Sequence, residues 1–211
     1  MQLRYSVNVG RPRLHDETTA AALLDAAEEI AETEGLQALT VRRVAERTGT
    51  TTRAVYTSLG SKQALVSGLG VRAFDMLAAM VESLPPASDP AADLVAAGTL
   101  GFRPFALNHP ALFRIGIQQT YVAPDVARTI VPAAERALPA LHRRIARLRD
   151  AGRLGPRAIP DAAREFHAAC EGLAALEMRC WIHPEDGHRI WHDTLSALVT
   201  GWQHVTPPTI S

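Results

Sequence analysis

The sequence predicts an all-α protein, and three observations support this prediction. The chain has 211 residues, of which 47% are hydrophobic and 21% charged, as in ordinary folded soluble proteins. Alanine, leucine and arginine, which carry the smallest penalties in helices, fill long stretches between prolines and glycines. Hydrophobic residues recur every three to four positions, and no run alternates β-branched and polar residues as a strand would.

The N-terminal region predicts a flexible arm followed by a helix. Residues 1–16 are polar and lack helical periodicity. The first helix should run from about Glu17 to Glu34, because its apolar residues share one face. Gly35 should then supply a left-handed cap.

Two short helices and one long helix are predicted next. Thr40 is a good N-cap for the first short helix, which should end at Gly49. The second short helix begins near Thr51. A long fourth helix should run from Ser61 to about Leu84.

Prolines mark the later boundaries. Segment 85–90 is the clearest of them, because its first two prolines stop one helix and its last can begin the next. Five more helices are expected, at about residues 90–107, 110–121, 125–151, 161–182 and 185–204. Pro132 and Pro139 should kink or split the third of these. The tail, residues 206–211, is expected to be disordered.

Positive charge is local, although the formal net charge of the chain is zero. Between Thr40 and Lys62, five basic residues oppose Glu46 alone, giving a net charge of +4. The two short helices and their glycine-containing turn therefore predict a helix-turn-helix domain at residues 17–62. Residues 63–84 would connect it to a ligand-binding and dimerisation domain at 85–205.

Hydroxyl, phenol and guanidinium groups on the second short helix suit base edges and phosphates. Lys62 lies in the first turn of the fourth helix, whose N-terminus also attracts anions. The residues predicted to contact DNA are Thr40, Arg42, Arg43, Thr51, Thr52, Arg53, Tyr56, Thr57 and Lys62.

Residues 39–49, LTVRRVAERTG, resemble the second helix of TetR-family regulators. Residues 51–65, TTRAVYTSLGSKQAL, resemble the family's recognition helix and the start of its helix four, without gaps. The pairs at 26–27 and 34–35 also match. This resemblance covers roughly residues 17–70 and implies that helices one and four couple DNA binding to a ligand domain.

Two positions depart from the family pattern. Thr50 stands where Val is usual, and Ser58-Leu59 replaces an aromatic residue or His followed by Phe. Further along, residues 102–114, FRPFALNHPALFR, resemble a segment of one group of TetR C-terminal domains. The resemblance implies DNA contacts from Thr40, Thr51, Arg53, Tyr56 and Lys62.

Large apolar side chains with a few polar neighbours could line a ligand cavity between the later helices, or could simply fill the core. Gln119 is a further polar residue of this region. The predicted ligand-binding residues are Phe102, Phe105, Phe113, Ile117, Gln118, Tyr121, His167, Glu171, Met178 and Trp181.

The last two predicted helices carry more apolar surface than a single packing contact needs. An isologous four-helix bundle between two subunits would bury it, as the resemblance also implies. The predicted dimer-interface residues are Phe166, Ala169, Leu173, Leu176, Ile190, Leu195, Leu198 and Trp202.

Other functional classes have little support. No G-x-S-x-G, P-loop or paired-carboxylate motif occurs, so neither an enzyme nor a cofactor is predicted. His183, His188 and His192 with Cys180 match no standard zinc spacing, and no metal is expected. Cys170 and Cys180 fall about 15 Å apart on one predicted helix and are expected to be buried free thiols.

No leader and no apolar span of 18 residues is evident, so a cytoplasmic protein without a membrane partner is predicted. The sequence thus predicts a homodimeric repressor that binds a palindromic operator in double-stranded DNA. A small, mostly apolar effector would release it. The alternatives are an activator or ligand-independent regulator and an all-α enzyme or adaptor.

Overall fold

The structure, a computed structural model, describes residues 14–119 and 123–203, with side chains from residue 19 onward in these ranges. The expectations for the arm before Leu14, for Tyr121 and for the tail lie outside the described residues. The chain is 81% helical, and the described ranges contain no strand, so the all-α prediction is confirmed. The chain divides into two compact units, residues 1–65 and 66–211.

The first unit contains three helices and the start of a fourth. They are α1 (Leu14–Thr33), α2 (Val41–Thr48), α3 (Thr52–Leu59) and the first turn of α4 (Lys62–Ser83), with a 3₁₀ turn at Leu36–Ala38. α1 begins inside the predicted arm, so that boundary was wrong by three residues. Gly35 has a φ of 86° and a ψ of 161°, so its φ is positive, but it is not the left-handed cap that was predicted.

Burial of one face of each helix explains the packing of this unit. α1 contacts both α2 and α3, and α2 contacts α3. Helical spacing brings the apolar side chains onto these facing surfaces. The core residues include Leu23, Ala27, Ile30, Leu39, Val44, Val55 and Leu65.

The second unit contains the rest of α4 and six further helices. They are α5 (Pro90–Ala96), α6 (Arg103–Asn108), α7 (Pro110–Leu112), α8 (Pro124–Asp150), α9 (Ile159–Met178) and α10 (Pro184–Gly201). A π-helical segment at Ala97–Phe102 joins α5 to α6, and another at Phe113–Ile117 continues α7. All five helices expected beyond residue 85 are therefore present, with small shifts at their ends.

Helix α8 is continuous through both of its prolines, so the expected split is wrong. Pro132 and Pro139 are exposed, as the solvent-facing side of a helix allows. Each proline lacks an N–H, which leaves a carbonyl of the preceding turn without its helical donor. Because those carbonyls lie on the wet side, water can satisfy them and the helix continues.

Glycines allow α4 to approach the second π-helical segment closely. A Cβ atom on Gly116 would stand 2.5 Å from Cβ of Ala73 and 3.2 Å from the carbonyl oxygen of Gly70. Gly70 in turn faces the side chain of Ile130 on α8. Any larger side chain at these positions would push the helices apart.

A buried ion-pair cluster ties α4, α5 and α8 together. Asp93 is 1% exposed and accepts hydrogen bonds from Arg144, from Arg147 and from the backbone N–H of Ala87. Arg144 also donates to the carbonyl oxygens of Val81 and Leu84, at 2.8 and 2.9 Å. The cluster therefore satisfies the carbonyls at the C-terminal end of α4 and fixes α8 beside it.

A second buried carboxylate joins α6, α9 and α10. Glu177 accepts two hydrogen bonds from the Arg103 guanidinium, at 3.0 and 2.6 Å, and one from the indole N–H of Trp191, at 2.8 Å. Gly187 lies against both charged groups, and a Cβ there would collide with them. The absence of a side chain at Gly187 thus leaves space for the ion pair beside α10.

One sequence expectation about hydropathy was wrong. Helix α4 contains an 18-residue window of mean hydropathy 1.6, so length and composition alone would allow it to cross a membrane. Leu65, Leu69 and Ala73 are nevertheless fully buried in the protein. The apolar composition of α4 is explained by this packing.

Replacing Asp93 with Asn should destabilise the protein by about 3–5 kcal/mol, because it leaves the buried Arg144 without its counter-ion. The matched control is Asp75→Asn. Asp75 pairs with Arg136 at 3.7 Å on the surface, where such pairs contribute about 0–1 kcal/mol. Denaturant unfolding of both variants measures the difference, and equal losses would contradict the assigned role of Asp93.

Candidate nucleic-acid interface and ligand groove

Helices α2 and α3 form a helix-turn-helix. Thr40 begins α2, since its hydroxyl accepts a hydrogen bond from the N–H of Arg43 at 3.1 Å. Gly49 ends α2 in the left-handed conformation, with φ 67° and ψ 23°. Thr51 then begins α3 by accepting from the N–H of Ala54 at 3.1 Å. A tight turn between two short capped helices is the geometry that places a second helix in a DNA groove.

One face of α3 is buried and the other is polar and open. Val55 is fully buried, whereas Arg53 and Tyr56 are exposed. All nine residues predicted to contact DNA have exposed side chains. They are Thr40, Arg42, Arg43, Thr51, Thr52, Arg53, Tyr56, Thr57 and Lys62.

The arginines of α2 are held by carboxylates. The Arg43 guanidinium donates to Glu34 at 3.0 and 3.1 Å, and Arg47 donates to the same carboxylate at 2.7 Å. Arg42 pairs with Glu46 at 2.8 Å. The hydrogen bond from Arg43 lowers the pKa of Glu34 below its ordinary value.

The local positive charge is therefore smaller than the count from Thr40 to Lys62 suggested. That count missed Glu34, which precedes the segment in sequence but contacts α2 in space. Among the described residues, Arg53 and Lys62 form no ion pair and remain available to an anionic partner.

The threonine hydroxyls differ in what they can still donate. Thr57 donates its proton to the carbonyl oxygen of Arg53 at 2.9 Å, so its oxygen can only accept from a base. Thr51 uses its oxygen as a cap acceptor, so its proton stays free for a phosphate. At the start of α4, Ser61 caps the N–H of Ala64 at 3.1 Å, directly before Lys62. Lys62 thus adjoins a helix N-terminus that attracts anions.

Comparison with protein families agrees with this geometry. Residues 23–69 match the model of bacterial regulatory proteins of the tetR family. Residues 94–198 match the tetracyclin repressor-like C-terminal domain. The chain belongs to the TetR family. It is therefore a DNA-binding transcriptional regulator, and proteins of this family are transcription factors rather than enzymes.

Solved structures of several bacterial proteins share the fold. A protein of unknown function from Rhodococcus sp. RHA1 superposes with a TM-score of 0.76 at 22% identity, covering 93% of this chain and 98% of that one. The TetR regulator PfmR from Thermus thermophilus gives 0.62 at 16% identity, covering 84% and 96%. The fatty acid degradation regulator FadR from Bacillus halodurans gives 0.69 at 15% identity, covering 86% and 94%. Among curated protein sequences nothing matches this TetR protein.

Most aromatic residues predicted to bind a ligand fill the core of the second unit. Phe105 and Phe113 are fully buried, and Phe102 and Ile117 are nearly so. The Phe102 ring contacts the rings of Phe113, His167 and Trp191, with centroids 6.1, 5.5 and 6.3 Å away. These residues support the ligand domain of the TetR protein from within.

An open groove of about 380 Å³ lies between α4, α8 and α9. His167 and Glu171, both predicted ligand residues, line it. Its other lining residues are Phe74, Ala134, Ala137, Leu138, Leu141, His142, Pro160, Ala163, Arg164 and Ala168. Sequence reasoning missed these, although the apolar run at residues 137–141 of α8 was an indication.

Burial acts on His167 and Glu171 in this groove. It lowers the pKa of His167, which favours the neutral imidazole. It raises the pKa of Glu171 because the carboxylate loses part of its hydration. The imidazole Nε2 lies 3.8 Å from the nearer carboxylate oxygen.

The remaining predicted ligand residues lie apart from the groove. Trp181 is 82% exposed, and Gln118, Gln119 and Met178 are half-buried. Gln119 adopts a φ of 49° at the end of its helix.

The predicted dimer-interface residues differ in their accessibility. Phe166, Leu173, Leu195 and Trp202 are buried within a single chain, because α9 and α10 turn these faces toward the core. The accessible members of the predicted set are Ala169, Leu176, Ile190 and Leu198.

The two cysteines also differ from expectation. Cys170 is buried, and its burial raises the pKa of the thiol far above the ordinary value. Cys180 is exposed and lies beyond the end of α9, so the prediction of two buried thiols on one helix is wrong for it. In the described ranges no group of three or more potential metal ligands comes together.

Arg53→Ala and Lys62→Ala should affect DNA binding differently. Loss of Arg53 should reduce discrimination between a selected duplex and a scrambled one, by about 1–3 kcal/mol if it reads a base. Loss of Lys62 should weaken binding to every duplex and flatten the slope of log K against log salt by about one unit. Arg42→Ala is the control, since Arg42 already pairs with Glu46. Fluorescence anisotropy across salt concentrations measures these effects, and identical behaviour of the three variants would refute the assignment.

Proposed function

We propose that this TetR-family protein is a homodimeric repressor that leaves a palindromic operator when a small, mostly apolar molecule occupies the groove between α4, α8 and α9. The observation that supports the proposal is that α4 is one continuous helix, Lys62–Ser83. It begins with Lys62 beside the helix-turn-helix and bears Phe74 in the groove wall. Such a protein acts in the cytoplasm, where the operator lies.

The exposed polar face of α3 supports operator binding. Two symmetric copies present two α3 helices to successive major grooves, about 34–36 Å apart. The operator would then be palindromic, with one half-site for each subunit.

The dimer surface that we propose is the outer face of α9 and α10. Gly172 lies on it inside α9, and a Cβ at this position would meet no atom of its own chain within 4 Å. Glycine inside a helix costs about 0.5–1 kcal/mol relative to alanine, so a reason outside the chain is needed. Close approach of a second subunit supplies it. Small exposed neighbours on α10 extend this face, namely Thr194 and Ala197.

Release would work through differential affinity. A ligand that fits the groove in one position of α4 better than in another shifts the equilibrium between the two. Phe74 lies about 18 Å along the helix axis from Lys62, at about 1.5 Å per residue. A coupling of about 1–3 kcal/mol would weaken operator binding by roughly 5- to 150-fold.

Gly172→Arg should yield a folded monomer with weak operator affinity. The side chain has free space in its own chain but would clash at the two symmetric positions, at about 1–3 kcal/mol each. Sedimentation should therefore show a dimer dissociation constant raised by about tenfold or more. Ala79→Arg, on an exposed position of α4, is the control. A Gly172→Arg variant that remains as dimeric as the control would rule out this face.

Ala137→Trp should block release by filling the groove. Compounds from a library of lipophilic molecules that release the wild-type protein from its selected duplex should no longer release this variant. Its operator affinity should stay within about threefold of wild type, because no DNA-facing residue changes. Ala151→Trp, at the exposed end of α8, is the control. Normal release of the Ala137→Trp variant would show that the effector binds elsewhere.

A further inference from the structure

The groove between α4, α8 and α9 combines apolar walls with a carboxylate that lacks a fixed counter-ion. Phe74, Leu138 and Leu141 supply carbon surface. Glu171 lies along the groove with 35% of its side chain exposed, and its ion-pair partner in the described structure is His167 at 3.8 Å. That distance exceeds a hydrogen bond, so the carboxylate keeps lone pairs for another donor.

The other charged groups of the groove do not neutralise Glu171. Arg164 donates to Asp161 at 2.6 Å, and its side chain is 76% exposed at the rim. His142 on α8 is half-buried and forms no ion pair among the described residues. His167 is neutral near pH 7 because burial lowers its pKa. The Arg164 and Asp161 charges cancel, so the groove carries one net negative charge from Glu171.

We infer that the groove is selective for a hydrophobic cation, with the Glu171 carboxylate as its counter-ion and the α4 and α8 side chains around its apolar body. This inference rests on the proposed function, since it names the chemical class of the effector. A bound ammonium group restores the electrostatic stabilisation that Glu171 loses on desolvation. A neutral ligand leaves that carboxylate buried beside it without compensation.

The volume of the groove sets the size of the apolar body. About 380 Å³ is at the lower end of the range for small-molecule sites and accommodates two fused aromatic rings with a short substituent. A hydrophobic anion is disfavoured, because it would face Glu171 while the guanidinium of Arg164 already has a partner. That alternative is one outcome of the experiment.

The experiment compares two probes of the same shape that differ in charge. They are (naphthylmethyl)trimethylammonium and its neutral carbon isostere, neopentylnaphthalene. Direct binding to the full-length protein without DNA is measured by isothermal titration calorimetry and by naphthalene fluorescence. The wild type should bind the cation about tenfold or more tightly than the isostere, because Coulomb attraction between the ammonium charge and the Glu171 carboxylate contributes about 1.4 kcal/mol or more.

Glu171→Gln should abolish this preference, because the cation loses its counter-ion and the neutral isostere no longer desolvates an ionised carboxylate. Glu135→Gln, an exposed carboxylate on α8, is the matched control and should keep the preference. Acidification should also weaken cation binding to the wild type. Lower pH protonates Glu171, whose pKa burial raises, and adds a positive charge to His167, so both changes act in one direction. Acidification should not weaken binding of the isostere, since it removes the ionised carboxylate that the isostere would desolvate.

Equal or tighter binding of the isostere, preference for naphthylacetate over the cation, or a preference that survives Glu171→Gln would each overturn the inference. Operator release is measured separately with the same probes. A cation that binds through Glu171 but leaves operator affinity unchanged would contradict the repressor mechanism and still support the site. If neutral compounds release the operator but do not displace the bound cation from the groove, the repressor function is supported and the groove is not the effector site.

Discussion

The ligand domain depends on a buried carboxylate, Asp93, and on the two arginines that surround it. Arg144 and Arg147 lie in α8, and Asp93 lies in α5. Arg144 also donates hydrogen bonds to two carbonyl oxygens, one at the end of α4 and one in the loop after it. The free-energy cost of desolvating a buried charge is offset only when its ion-pair and hydrogen-bond partners lie in good geometry. The cluster therefore fixes where α8 lies against α4, and these helices form two walls of the groove.

Close backbone contacts also fix the position of α4 nearer its middle. Gly116 touches Ala73 and Gly70, and Gly70 faces Ile130 of α8. Such contacts leave no slack, since a side chain larger than hydrogen would not fit. The adjoining residue Phe74 lines the groove, so a ligand there meets a helix whose position the neighbouring glycines determine. Small displacements of α4 must then be shared by its neighbours rather than absorbed by a loose side chain.

Helix identity could be predicted from the sequence, because caps, prolines and apolar periodicity act locally. Thr40, Gly49 and Thr51 mark the ends of α2 and α3 as expected. Side-chain destinations in the second unit could not be predicted, since α9 is apolar on more than one face. Phe166 and Leu173 face the core while Leu176 stays exposed, and only the packing of α9 against α6, α8 and α10 decides this. The groove was missed for the same reason, as its walls come from three helices distant in sequence.

The helix-turn-helix shows why charge counts along a sequence mislead. If all five basic residues from Thr40 to Lys62 neutralised phosphates, the slope of log K against log salt would approach about −0.9 for each. Glu34 and Glu46 already pair with Arg42, Arg43 and Arg47, so a phosphate that binds any of these arginines competes with a carboxylate. Such competition lowers the free energy that each arginine contributes to DNA binding. On the proposed mode of binding, we therefore expect modest nonspecific attraction and a larger share of the binding free energy from Arg53, Tyr56 and the hydroxyls of α3. If those groups contact bases as well as the backbone, weak general affinity favours discrimination between sequences.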